Sequence, residues 1–177
     1  MLKNISPFLP ALLISSALLP ATAATAFADN KIALTAISAF EKICTQRGQR
    51  LFRVMNRMER FAKEAGYDTL PFEVEFYDTT LESARIPVVQ GTNRKCLVRF
   101  DGDHTRAATK AVLAFVERAN FGRETRIPRT HREAQLPGTI LFTARLLQSG
   151  SKAVLHVGTT QGPTGVQTFI NVERLPV

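Results

Sequence analysis

The chain has no tryptophan, two tyrosines, three histidines and two cysteines in 177 residues, and each shortage removes a class of function. No C-x-x-C and no clustered Cys and His are present, so zinc ribbons, zinc fingers and thioredoxin-type redox sites are excluded. H-E-x-x-H, a Gly-rich phosphate loop and a dinucleotide fingerprint are also missing, and no cofactor or resident metal is expected. Beyond residue 28 the only serines are Ser38, Ser83, Ser149 and Ser151. None sits in a G-x-S-x-G elbow, and Ser149 and Ser151 flank a turn glycine, where small polar residues belong for conformational reasons.

Long apolar runs are scarce too. The longest, Phe8 to Leu19, is interrupted by Pro10, Ser15 and Ser16 and falls short of the roughly 20 residues of a spanning helix. With Lys3 ahead of it and Ala26-Phe27-Ala28 behind, it has the layout of a secretory leader. Residues 1–28 are therefore expected to be removed, leaving 29–177, that is 177 − 28 = 149 residues, as a single domain in the periplasm or outside the cell. In that setting Cys44 and Cys96 are expected to form one disulfide closing 96 − 44 = 52 residues.

What the chain has in excess is positive charge. Lys and Arg total 23 against 15 Asp and Glu, a net +8. Loss of Lys3 leaves 22 − 15 = +7. Such a balance favours anionic partners: lipid headgroups, an anionic envelope polymer or an acidic protein. Nucleic acid is disfavoured by the compartment and by the lack of aromatic side chains interleaved with the charge.

The periodicity gives an α+β domain. Thr35 to Ala65 reads as helix in two pieces, with Ser38 to Glu41 as a capping box, Gly48 weakening the middle, and Cys44 inward. In the second piece Leu51, Val54, Met55, Met58, Phe61, Ala62 and Ala65 form one apolar face. "LPFEVEFYD" alternates as a strand with Glu73 and Glu75 on a wet face; "RIPVVQ" reads as an edge strand, and "KCLVRFD" as a strand presenting Cys96 to the first helix. A helix follows Asp103 and ends at Gly122, taken as the C′ residue. The last 39 residues read as three hairpin-connected strands, with Ile140, Phe142, Ala144 and Leu146 sharing a face of the first. The expected order is α-α-β-(β)-β-α-β-β-β: an antiparallel sheet of five to six strands with helices on one face.

Two arginine sets are candidate anion-binding residues. Arg50, Arg53, Arg57 and Arg60 fall within about 80° of arc on the second helix, beside its apolar face, with Glu64 four residues beyond Arg60 for a local ion pair. Arg123, Arg126, Arg129 and Arg132 recur every third residue between Asn120 and Gly138, a period that fits polyproline II and neither strand nor α-helix. Glu124 and Glu133 reduce that tract to +4 − 2 = +2, so it is expected to matter only beside the first set. His131 inside it is expected to be solvated, and His156 to be half-exposed on its strand.

The chain is accordingly read as a non-enzymatic exported binding or accessory protein. Two alternatives stand beside it. Asp101, Asp103 and His104 in "DGDH" carry the residue types of a small hydrolase or metal-dependent enzyme, although an aspartate there also caps a helix. The other alternative is a structural or regulatory subunit whose arginines are merely solvated.

Overall fold

The computed structural model describes residues 22–46, 51–79 and 88–177. Helix α1 (Thr22–Ala39) continues without a break into a π-helical turn at Phe40–Cys44, and α2 (Leu51–Glu64) follows. Strands β1 (Glu73–Asp78) and β2 (Arg94–Asp101) precede α3 (Thr105–Arg118). A three-residue strand β3 (Arg123–Thr125), a one-turn helix α4 (Arg129–Glu133) and the long strands β4 (Thr139–Leu146), β5 (Lys152–Gly162) and β6 (Gly165–Leu175) complete the chain. All six strands join one antiparallel sheet in the order β1-β2-β6-β5-β4-β3. This is the α+β architecture expected, with the elements in the expected order.

The core lies between the sheet and a layer formed by α1, α2 and α3. Cys96, Val98 and Phe100 of β2, Leu155 and Val157 of β5, and Ile170 and Val172 of β6 meet Ala36 and Phe40 from the first helical segment and Val112 and Phe115 from α3. A smaller cluster of Ala39, Ile43, Val54 and Phe61 joins the π-turn to α2 over Leu70, Phe72 and Phe76 at the β1 edge. The Cys44–Cys96 disulfide forms as expected and ties the π-turn to β2. Arg174 of β6 holds the same turn from beneath by donating to the Thr45 carbonyl at 2.7 Å.

Several local expectations change. Ser38 lies inside the continuous α1, so no capping box forms there. Met55 is 58% exposed and drops out of the apolar face of α2, while Val54, Phe61 and Ala62 are buried. Val88 and Val89 belong to no strand, and Gly91, with φ +90°, shapes a turn closed by Thr92 N–H donating to Val89 O. Gly48, Arg50 and the segment Arg85–Pro87 lie outside the described residues. The C′ residue of α3 is Asn120 (φ +44°), not Gly122: Asn120 N–H donates to Glu117 O and Phe121 N–H to Val116 O, and Phe121 packs on Phe115, the hydrophobic contact of a Schellman motif. Gly122 serves another end, because a Cβ there would sit 2.3 Å from Leu146 O across the β3–β4 pair.

In β4 a register shift between Thr139 and Leu141 turns the strand. Ile140 is left 67% exposed, and Leu141 takes the inward position instead. The tract from Asn120 to Gly138 is not a structureless loop. Arg123 to Thr125 pair with Leu146 to Ala144 at the sheet edge; after Pro128, α4 brings His131 to Glu173, whose side chain alternates with the inward Val172 and so lies on the far face of the sheet. Polyproline geometry yields here because edge pairing and burial of an imidazole satisfy more backbone and side-chain groups than a solvated extended chain would.

Candidate functional site

Of the four arginines on the second helix, Arg53 and Arg60 are exposed, Arg57 is half-buried, and Arg50 lies outside the described residues. Arg57 and Arg60 form one wall of a groove between α1 and α2. One part of it, about 450 Å³, is lined by Lys31, Leu34, Ser38, Lys42, Phe61, Glu64 and Ala65, among others. The next part, about 270 Å³, is lined by Lys42, Ile43, Gln46, Arg57, Arg60, Phe61 and Glu64. Lys42, Phe61 and Glu64 belong to both, so the groove is continuous. Residue numbers rise along α1 as they fall along α2, and the two helices therefore run antiparallel.

Lys31, Lys42, Arg57 and Arg60 line the groove against one carboxylate, Glu64. Among the described residues none of the four cations forms an ion pair; the expected Arg60–Glu64 pair is not made, and Lys63 pairs with Glu59 on the outer side of α2 instead. Lys31 Nζ stands 5.5 Å from the Tyr67 ring centroid and Lys42 Nζ 5.3 Å from that of Phe61, contacts that hold a cation without neutralising it. Arg57 Nη1 is buried with no hydrogen-bond partner among the described residues. The groove thus keeps a local excess of positive charge.

The second arginine set is elsewhere. Arg123, Arg126, Arg129 and Arg132 are all exposed, and Arg129 is paired with Glu133 at 2.6 Å. β3 is the strand farthest from β1, against which α2 packs, five inter-strand spacings or about 24 Å away. α4 moreover lies on the opposite face of the sheet from α2. The two sets do not share a surface.

The "DGDH" residues disperse. Asp101 accepts from Thr164 Oγ1 at 2.9 Å and Gln167 Nε2 at 2.8 Å, bracing the β5–β6 turn. Asp103 Oδ1 accepts from the backbone N–H and the hydroxyl of Thr105 at 3.1 and 2.7 Å, covering the start of α3 from one residue ahead of its cap. Those hydrogen bonds hold its carboxyl below the usual carboxylate range. His104 donates its backbone N–H to Thr168 Oγ1 at 2.7 Å and stacks its ring 5.9 Å from that of Phe100. Each residue has a separate structural partner.

The far face of the sheet holds a buried polar cluster that periodicity does not suggest. His131 and His156, expected to be solvated and half-exposed, are 0% and 2% exposed. Thr92 donates its hydroxyl proton to Glu173 Oε2 at 2.7 Å, so its oxygen is left to accept from His131 Nε2–H at 3.2 Å; this tautomer is assigned from the network. Asn171 Nδ2 donates to the other Glu173 oxygen at 2.9 Å. His156, opposite Asn171 and edge-on to Phe142 at 4.4 Å, has no hydrogen-bond partner on either ring nitrogen among the described residues. Burial lowers its pKa to about 4; Glu173 opposes this, and His131 and Lys95 add to it. The available signal was the run "AVLHV": a strand apolar on both faces is buried on both faces, and its histidine with it.

Among the described residues no three His, Cys, Asp or Glu side chains converge as metal ligands. No family model matches this chain, and neither a curated protein nor a solved structure does so.

Proposed function

We propose that this chain is an exported, non-enzymatic binding protein whose anionic ligand seats in the groove between α1 and α2. One observation carries the reading: among the described residues four cations and a single carboxylate line a continuous concave surface, and none of the four is engaged in an ion pair. Desolvating a cation without a counter-charge is costly, and an anion in the groove would relieve that cost at Arg57, where one buried guanidinium nitrogen has no acceptor among the described residues. Arginine can meet a carboxylate or phosphate with two parallel hydrogen bonds, so Arg57 and Arg60 supply geometry where the lysines supply point charge.

The reading of export is supported by the leader pattern, Phe8 to Leu19 with Ala26-Phe27-Ala28 behind it. The disulfide and the absence, among the described residues, of any helix able to cross a membrane accord with export. Cleavage after Ala28 would cut α1 and leave its remainder, from Asp29, attached to the sheet through the Cys44–Cys96 bridge. The new terminal ammonium would add a further positive charge next to Asn30 and Lys31 at the mouth of the groove.

The test is charge reversal. Lys42→Glu with Arg57→Glu should weaken binding to polyphosphate and to phosphatidylglycerol vesicles at least tenfold, and raising salt should weaken it further. Arg126→Glu with Arg129→Glu, on the other side of the sheet, should leave it unchanged. Equal loss from both pairs, or binding indifferent to salt, would return the arginines to a solvated surface and the chain to a structural role.

A further inference from the structure

We infer that the outer face of α3 is a self-association surface, on which a second copy of this chain packs antiparallel about a two-fold axis; the α1–α2 groove takes no part in it. At 100° per residue Arg106, Lys110, Leu113 and Glu117 fall within an arc of about 60°. That stripe points away from Ala108, Val112 and Phe115, which are buried against the sheet. Leu113 is 44% exposed, and Ala114 beside it is exposed too. The register shift that leaves Ile140 outward sets it against the same helix, so that Leu113, Ala114 and Ile140 line one shallow groove of about 610 Å³.

The charges around that groove name its occupant. Arg106 stands in the first turn of α3 and Glu117 in the last, each at the end where the helix dipole disfavours its sign. Arg106 and Lys110 are moreover like charges four residues apart, an arrangement that weakens a lone helix. Lys110 and Glu117 are separated by about 10 Å along the axis, beyond the spacings at which side chains of one helix meet. Among the described residues none of the three forms an ion pair, and Arg118, next to Glu117, is engaged by Glu41 instead. Turned end for end, the stripe answers itself. With the axis between Leu113 and Ala114, Lys110 of each copy meets Glu117 of the other, and Leu113 of each lies on Ala114 of the other. The same two-fold keeps both Ile140 side chains on one side of the helix pair, where they close the apolar strip. An apolar centre with a charged rim is the anatomy of a specific interface, and a patch that complements itself is what a two-fold dimer requires. A bilayer or a polyanion would instead meet the repelling carboxylate of Glu117.

The experiment is sedimentation equilibrium of the purified chain from about 1 μM to about 1 mM, which should show monomer and dimer exchanging. Lys110→Glu alone places like charges at both rims and should raise the dimer Kd by roughly tenfold or more; Glu117→Lys alone should do the same. The double variant, Lys110→Glu with Glu117→Lys, should recover the wild-type Kd. Mixing the two single variants should give a heterodimer tighter than either variant alone, since every rim contact is then between opposite charges. Leu113→Asp, at an exposed position, should leave a folded monomer with unchanged far-ultraviolet circular dichroism.

A monomer at every concentration would overturn the inference, and so would a dimer that persists unweakened in the single variants and in Leu113→Asp. Failure of the mixed single variants to associate more tightly than either alone would also overturn it, because charges that act only within their own helix cannot be rescued by a second chain.

Discussion

Acidification acts on this fold through His156. The residue is 2% exposed, with both ring nitrogens unpartnered among the described residues, and lies across from Asn171 on the face that carries Glu173, Lys95 and His131. Burial is the main cause that lowers its pKa from 6.5 to about 4, so the folded protein prefers the neutral imidazole. The unfolded chain therefore binds more protons than the folded one between those values, and stability that is whole above pH 6.5 is lost as pH falls through 4.

The gap between 6.5 and about 4 bounds the loss at roughly 3 kcal/mol. Between pH 7 and pH 5 the same expression gives about 2 kcal/mol, most of the effect before carboxylates titrate strongly. Urea unfolding at the two pH values, for the wild type and for His156→Phe, isolates the contribution. The phenyl ring keeps the contact with Phe142 and cannot take a proton, so the drop should shrink by about 2 kcal/mol in the variant. His156→Leu serves as a second variant should the phenyl ring overpack. An identical pH dependence in wild type and both variants would refute the reasoning, since it would place the titrating group elsewhere.

Reducing the Cys44–Cys96 bridge, or replacing both cysteines with serine, should cost up to about 4 kcal/mol for a 52-residue separation, read as a lowered urea midpoint. Phe40→Ala empties a fully buried site facing β2 and should destabilise by about 3–5 kcal/mol in the same assay. Gly122→Ala should destabilise by more than about 1 kcal/mol, because φ is +76° and its Cβ would strike the Leu146 carbonyl; a neutral result would mean that the β3–β4 pair is dispensable. Mass spectrometry of the exported protein should find Asp29 or a neighbour at its N-terminus, and an intact leader would contradict export by cleavage.

Local pattern determined a great deal here. Alternation in "FEVEF" and "KCLVRF", the Pro163-Thr164 turn between long strands and the 3.6-residue period of α2 are short-range properties, and they specified the strands, their antiparallel pairing and the burial of Val54 and Phe61. Cysteine count and the leader-like start of the chain were enough to expect the disulfide that forms. Tertiary structure alone decided the rest. The linear spacing of Arg123 to Arg132 says nothing of which face the tract crosses, and only the pairing of β3 at the far edge separates it from Arg57 and Arg60. Lys31 and Lys42 are 15 or more residues from Arg57 in sequence and drew no notice there; antiparallel packing of α1 on α2 brings them into one groove. His131 is polar and stands in a basic tract, which reads as solvent, yet Thr92 and Glu173, which it meets, lie 39 and 42 positions away, and the sheet must form before they come together. Charge and periodicity are written along the chain, but the meeting of distant polar side chains depends on the path the backbone takes, and that path is set by the whole core at once.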